Sequence, residues 1–153
     1  MPKVDIQEIM EAIDFTSYEH SSYLNRETGK VEILQEYFLR KAENDEDFTD
    51  LPDWQQDQMK LAIDLLENEE KYLKLPEQFE ANEYRMMEDF CFTLDTNKQQ
   101  VLLQEIEGKG AFRRFKDKII DLNVDDEWYE FREKAYRQFA IRFCKARDVE
   151  YEA

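Results

Sequence analysis

His20-Ser21-Ser22-Tyr23-Leu24-Asn25-Arg26-Glu27-Thr28-Gly29-Lys30-Val31-Glu32-Ile33-Leu34 is the stretch that decides the fold. Before it, Ile6, Ile9, Met10 and Ile13 recur at helical spacing, which predicts a helix from Asp5 to Asp14. Asp5 and Glu8 give that helix a capping-box-like start. At His20 the period changes. Ser22–Asn25 and Val31–Leu34 flank Glu27-Thr28-Gly29-Lys30, where the glycine accepts positive φ, and this predicts a β-hairpin. A third short strand is expected at Lys71–Leu75, alternating and closed by Pro76. Between them the pattern predicts a short helix over Glu36–Glu43 and an acidic loop over Asn44–Asp53. A helix over Trp54–Asn68 follows, with Trp54, Met59, Ile63 and Leu66 on one side.

After Pro76 the periodicity is helical to the end. Glu83–Leu94 is apolar almost all round, as a central buried helix would be. Thr96 and Gln99 stand at capping-box spacing before Val101, Leu102, Leu103 and Ile106. Gly108-Lys109-Gly110 ends that helix and starts another over Ala111–Asp121. A last helix runs from near Asp125 to about Ala146, with Trp128, Phe131, Ala135, Phe139 and Phe143 as its stripe. The expected fold is α+β: a small antiparallel sheet, a hairpin plus one short strand, with helices in an N-terminal half over residues 1–76. That half is expected to pack on a C-terminal bundle of about four helices over residues 77–153, the whole being one domain.

Composition narrows the class. The 153 residues include 11 Phe, 8 Tyr and 2 Trp, too many aromatics for a disordered chain. Three Gly and three Pro are too few for the tight turns of an all-β sandwich or barrel. Cys91 and Cys144 form no CxxC motif and read as apolar core residues in a reducing compartment. The absence of a leader-like or membrane-length apolar run makes a cytoplasmic protein the expectation, with no membrane partner.

Net charge is −16, but it is unevenly spread. Residues 1–107 hold 10 basic and 27 acidic residues, whereas residues 108–153 hold 11 and 10. Asp45-Glu46-Asp47-Phe48-Thr49-Asp50 invites a calcium reading, yet the EF-hand pattern requires Gly and Glu where Asp50 and Gln56 stand. A solvated acidic loop is the better account. His20 is the single histidine and lies far in sequence from both cysteines, so it supports neither a histidine-rich metal site nor a Cys/His pair. No phosphate-binding or dinucleotide fingerprint is present. The pattern therefore names no catalytic residue, metal ligand or cofactor.

One segment reverses the local charge. Gly108-Lys109-Gly110-Ala111-Phe112-Arg113-Arg114-Phe115-Lys116-Asp117-Lys118 carries five basic residues and one acid just where a helix begins. Open N–H groups of a helix start, with forked arginine donors beside them, suit phosphate or carboxylate. Gly108, Lys109, Gly110, Arg113, Arg114 and Lys116 are the candidate binding residues. The competing account is structural: Gly108 caps the preceding helix, Gly110 allows close packing, and Arg113 or Arg114 pairs with Glu83, Glu88 or Asp89. In the last helix Arg132, Lys134, Arg137, Arg142, Lys145 and Arg147 interleave with aromatics, which reads as a core stripe beside a solvated basic face.

Glu83-Tyr84-Arg85-Met86-Met87-Glu88-Asp89-Phe90 and Gly108–Asp117, with Tyr23–Gly29 and Trp128-Tyr129, resemble a bacterial family of unknown role, uncharacterised protein family 158. The resemblance spans most of the chain and implies an intracellular bacterial protein; it carries over no activity and no catalytic residue. The functional expectation is a non-enzymatic binding or adaptor protein whose basic segment holds an acidic protein or a phosphate-bearing ligand. Nucleic-acid binding through the C-terminal third is the second reading, and a carboxylate- or metal-dependent enzyme the third. Homodimerisation is compatible with so aromatic a chain.

Overall fold

A computed structural model describes residues 2–15 and 19–153. The elements follow the order β1 (Val4–Asp5), α1 (Ile6–Phe15), β2 (His20–Asn25), β3 (Val31–Gln35), α2 (Glu36–Glu43), α3 (Asp53–Glu67) and β4 (Tyr72–Lys74). Then come α4 (Glu83–Cys91), α5 (Thr96–Glu105), α6 (Ala111–Asp121), α7 (Asp125–Ala146) and β5 (Tyr151–Glu152). The class is α+β, as the change of period at His20 implies. The described residues group into two compact units, one of residues 1–80 with 140–153 and one of residues 81–139, and α7 runs through both.

In the first unit the antiparallel sheet has the order β3-β2-β4. Tyr23 faces Glu32 across one ladder and Lys74 across the other. Asn25 is buried and holds the hairpin: its side-chain oxygen accepts from the N–H of Glu27 at 2.9 Å, and its carbonyl from that of Gly29 at 2.8 Å. Gly29 takes φ +72°, and a Cβ there would stand 3.0 Å from the Pro2 Cβ and 3.1 Å from the Lys3 carbonyl oxygen. The turn therefore needs glycine for space as well as for conformation. Tyr23, Leu34, Phe38, Ala42, Met59 and Ala62 form the core where the sheet meets α2 and α3.

Asp64 braces the end of α3 against β4. Its carboxylate accepts from Lys71 at 2.8 Å, from Asn68 at 2.7 Å and from the Tyr72 hydroxyl. Those bonds, Lys71 first, hold the Asp64 carboxyl down to about 2, while burial and then Asp64 itself push Tyr72 up to about 12.

In the second unit four rings interlock. Phe115 meets Trp128 edge-on at 4.8 Å, and Phe90 meets Trp128 at 5.4 Å and Phe131 at 5.5 Å. The two edge-to-face pairs with Trp128 add to simple burial, and Phe90–Phe131 is tilted. Trp128, Tyr136, Ala140 and Cys144 are the buried residues of α7, so its inward row runs on every fourth residue. Burial pushes the Cys91 thiol up to about 11 and the Cys144 thiol upward as well.

Several expectations need correction. The chain is not helical to its end: α7 stops at Ala146, Asp148 turns the chain with φ +55°, and β5 then pairs in parallel with β1, Val4 opposite Tyr151. A pair of two-residue strands is too short to leave a periodicity. Helix α4 ends at Cys91, and Tyr84 and Phe92 are exposed rather than buried all round. Asp95, not Thr96, caps α5, its side chain accepting from the N–H of Lys98. Trp54 and Leu66 lie on the open side of α3, whose buried residues are Met59 and Ala62. Trp54 meets Phe38 edge-on at 6.0 Å and leaves the rest of its ring to solvent.

Candidate binding site

The basic segment folds as a glycine-bounded loop opening α6. Gly108 and Gly110 both take positive φ, +74° and +79°, a region open to glycine at little cost. Gly110 is the N-cap residue of α6 and offers no side chain to the first-turn N–H groups. Ala111, Phe115 and Ile119, four residues apart, turn inward. The opposite face is left with Phe112, 46% exposed, and Ile120, 62% exposed.

The six residues singled out by sequence differ in their surroundings. Arg114 is committed to the loop. Its Nε donates to the carbonyl of Glu105 at 2.9 Å, and its two terminal nitrogens donate to the carbonyls of Lys109 and Glu107. The Glu105 carboxylate lies 3.8 Å from the same guanidinium. One side chain thus satisfies the carbonyl of the last residue of α5 and two carbonyls of the loop that follows. Glycine at position 110 is favoured by its positive φ, and a Cβ there would also sit 2.9 Å from an Arg114 terminal nitrogen, the movable end of that side chain. The atoms near that position are those of Arg114, not of a second helix packed closely against it.

Lys109, Arg113 and Lys116 are exposed and have no ion pair among the described residues. Of the three partners suggested by sequence, Glu83, Glu88 and Asp89, two are taken elsewhere. Glu83 binds Arg132, which also lies 4.5 Å over the Tyr136 ring, and Asp89 pairs with Arg85 at 3.4 Å. What remains is a face of three cations beside two apolar side chains.

The basic residues expected in the last helix differ in their surroundings. Lys134 pairs with Glu130 and Arg137 with Glu133, and Arg147, just beyond α7, lies 5.7 Å over the Phe143 ring, while Arg142 and Lys145 are exposed with no ion pair among the described residues. Trp128 and Tyr136 are buried, so the helix does not present the row of exposed rings on which single-stranded bases stack. In the acidic loop Asp47 bonds the backbone and hydroxyl of Thr49 rather than converging with its neighbours. Among the described residues no three of His, Cys, Asp or Glu converge in a metal-ligand set.

A second surface escaped the sequence reading. In the first unit His20 meets Phe15 edge-on at 5.4 Å, and both line an open groove with Ile33, Gln35, Trp54 and Gln58. A shared core pattern conceals such a surface, because Phe15 and Trp54 are ordinary apolar residues at helix ends. No helix of the described residues is long and apolar enough to cross a membrane.

No curated protein and no solved structure matches the chain. The family comparison is positive, and it takes in both units, the Gly108–Lys118 loop and the hairpin alike. The model of the uncharacterised protein family UPF0158 matches residues 3–153, and the chain belongs to that family.

Proposed function

We propose that this protein is a non-enzymatic intracellular adaptor that holds an acidic partner protein on the outer face of α6. The observation that carries the reading is that Lys109, Arg113 and Lys116 have no ion pair among the described residues, in a chain of net charge −16. With so many carboxylates available, three exposed cations left without one are a surface suited to someone else's acid. Phe112 and Ile120 on the same helix add apolar contact, which favours a protein over a bare phosphate group. Arg114 is outside the binding set, because its donors are occupied by carbonyls.

The test is retention from cell lysate on immobilised protein, comparing wild type with an Arg113→Glu/Lys116→Glu variant that leaves Arg114 intact. Circular dichroism first confirms that the variant is folded. The expected result is an acidic protein held by wild type, insensitive to nuclease, and depleted about tenfold on the variant. Identical retention by both proteins, or release by nuclease, overturns the proposal; the second outcome transfers the surface to nucleic acid.

A further inference from the structure

The outer edge of β3 is an unfilled place in a sheet. Backbone groups of Lys30 and Glu36 bond toward β2 and its flanks, so those of Val31, Ile33 and Gln35 point the other way. At the C-terminal end of this edge the Gln58 side chain imitates a neighbouring strand. Its amide oxygen accepts from the N–H of Gln35 at 3.1 Å, and its amide nitrogen donates to the carbonyl of Ile33 at 3.0 Å. Beyond Gln58 the ladder is open: Val31 N–H, Val31 C=O and the Ile33 N–H make no hydrogen bond among the described residues.

Beside this edge runs a groove of about 660 Å³ between β3 and α1. Ala12, Val31 and Ile33 form its apolar lining, Phe15 stands in it 56% exposed, and Glu8 and Glu11 are its acids against the one lysine, Lys30. The unit that carries it holds 11 basic and 24 acidic residues. An exposed edge strand next to a helix is the arrangement that accepts an extended peptide as an added strand, with backbone bonds for affinity and side-chain pockets for register.

We propose that this groove binds an extended basic segment of a partner protein by strand addition to β3. Apolar residues at alternate positions enter the space between Val31, Ile33 and Ala12, and lysines or arginines of the segment meet Glu8 and Glu11. Charge selects the occupant: a second copy would bring another strongly acidic unit to the same edge, whereas a basic segment is attracted to it. This site is independent of the α6 face, and neither proposal rests on the other.

The probe is a capped, fluorescein-labelled peptide of alternating lysine and valine, about seven residues long, titrated against the whole protein by anisotropy. The comparison peptides replace lysine by glutamate, or carry N-methyl groups on the amides that would face β3. Saturable binding of the lysine peptide is expected, weakened about tenfold by N-methylation, which removes the bond to the Val31 carbonyl and sets a methyl group against the strand edge. The Glu8→Lys/Glu11→Lys variant is expected to reverse the preference toward the glutamate peptide. Hydrogen exchange adds a readout that simple charge attraction does not move: the Val31 and Ile33 amides exchange rapidly in free protein and become protected with peptide. Binding that is insensitive to N-methylation, or absent, overturns the proposal. So do Val31 and Ile33 amides already protected in the free protein. If that protection rises with protein concentration, the occupant is a second copy.

Discussion

Arg113 and Arg114 are adjacent in the sequence, yet the structure assigns them opposite consequences. Replacing Arg114 by alanine removes three donors from the carbonyls of Glu105, Glu107 and Lys109. A hydrogen bond to a charged group contributes about 1.5–3 kcal/mol when well shielded. This side chain is 39% exposed, and the freed carbonyls can take water, so a value near 0.5 kcal/mol per bond is more apt. The three bonds, with the cation's attraction to the end of α5, then amount to about 2 kcal/mol. For a chain of this length that corresponds to a fall in Tm of roughly 4–8 °C. Arg113→Ala removes no side-chain bond among the described residues and should stay within about 0.5 kcal/mol of wild type. Arg114→Lys keeps the charge but not the fork, and should recover less than half the loss. The assay is guanidinium unfolding followed by circular dichroism and by the fluorescence of buried Trp128. Equal midpoints for the Arg113 and Arg114 variants would refute the reasoning, because the loop would then stand without its arginine.

The Asp64 brace makes a prediction about pH. Its carboxyl titrates lower in the folded chain than in the unfolded one, so its contribution is complete above about 4 and is lost as pH falls toward about 2. With the side chain 32% exposed, the contribution is about 1 kcal/mol, and Asp64→Asn should flatten the acid limb of a stability–pH profile. At the other end Tyr72 titrates higher when folded, so stability falls as pH rises from about 10 to about 12. Gly29→Ala should cost more than Gly108→Ala in a thermal melt. Both residues have positive φ, but the new methyl meets Pro2 and Lys3 only at position 29, with nothing within 4 Å at position 108. Cys91 and Cys144 should resist alkylation in native protein at neutral pH and react in denaturant; rapid native labelling of Cys91 would contradict its burial.

How much of this was legible beforehand depends on the kind of information. The start of α6 could be read from the glycines at 108 and 110, and the extent of α7 from its long helical periodicity, although only Trp128 of its expected stripe is fully buried. The hairpin was legible for the same reason, through Gly29 and the shift to a period of two. The β1–β5 pairing was not, since it joins residues almost the whole chain apart and spans only two residues on each side. Within the basic segment the residue types and location were legible, but the division of labour was not. That Arg114 turns back onto carbonyls while Arg113 faces water depends on where α5 stops, and backbone acceptors carry no residue code. The β3 edge was hidden similarly: a strand predicted from alternation does not say which of its sides lacks a neighbour.

The parallel β1–β5 pair has a mechanical consequence. Val4 and Tyr151 begin the two strands at the same end, so the chain enters the pair at one end and leaves it at the other. A tensile load applied through the two ends therefore pulls the strands past one another instead of peeling them apart. The bonds between them, including that from the Val4 N–H to the Glu150 carbonyl at 3.0 Å, bear the force together and must break together. The clasp is only two residues long, but it lies in the direction of greatest resistance. It shields the first unit, hairpin and groove included, from strain arriving along the polypeptide.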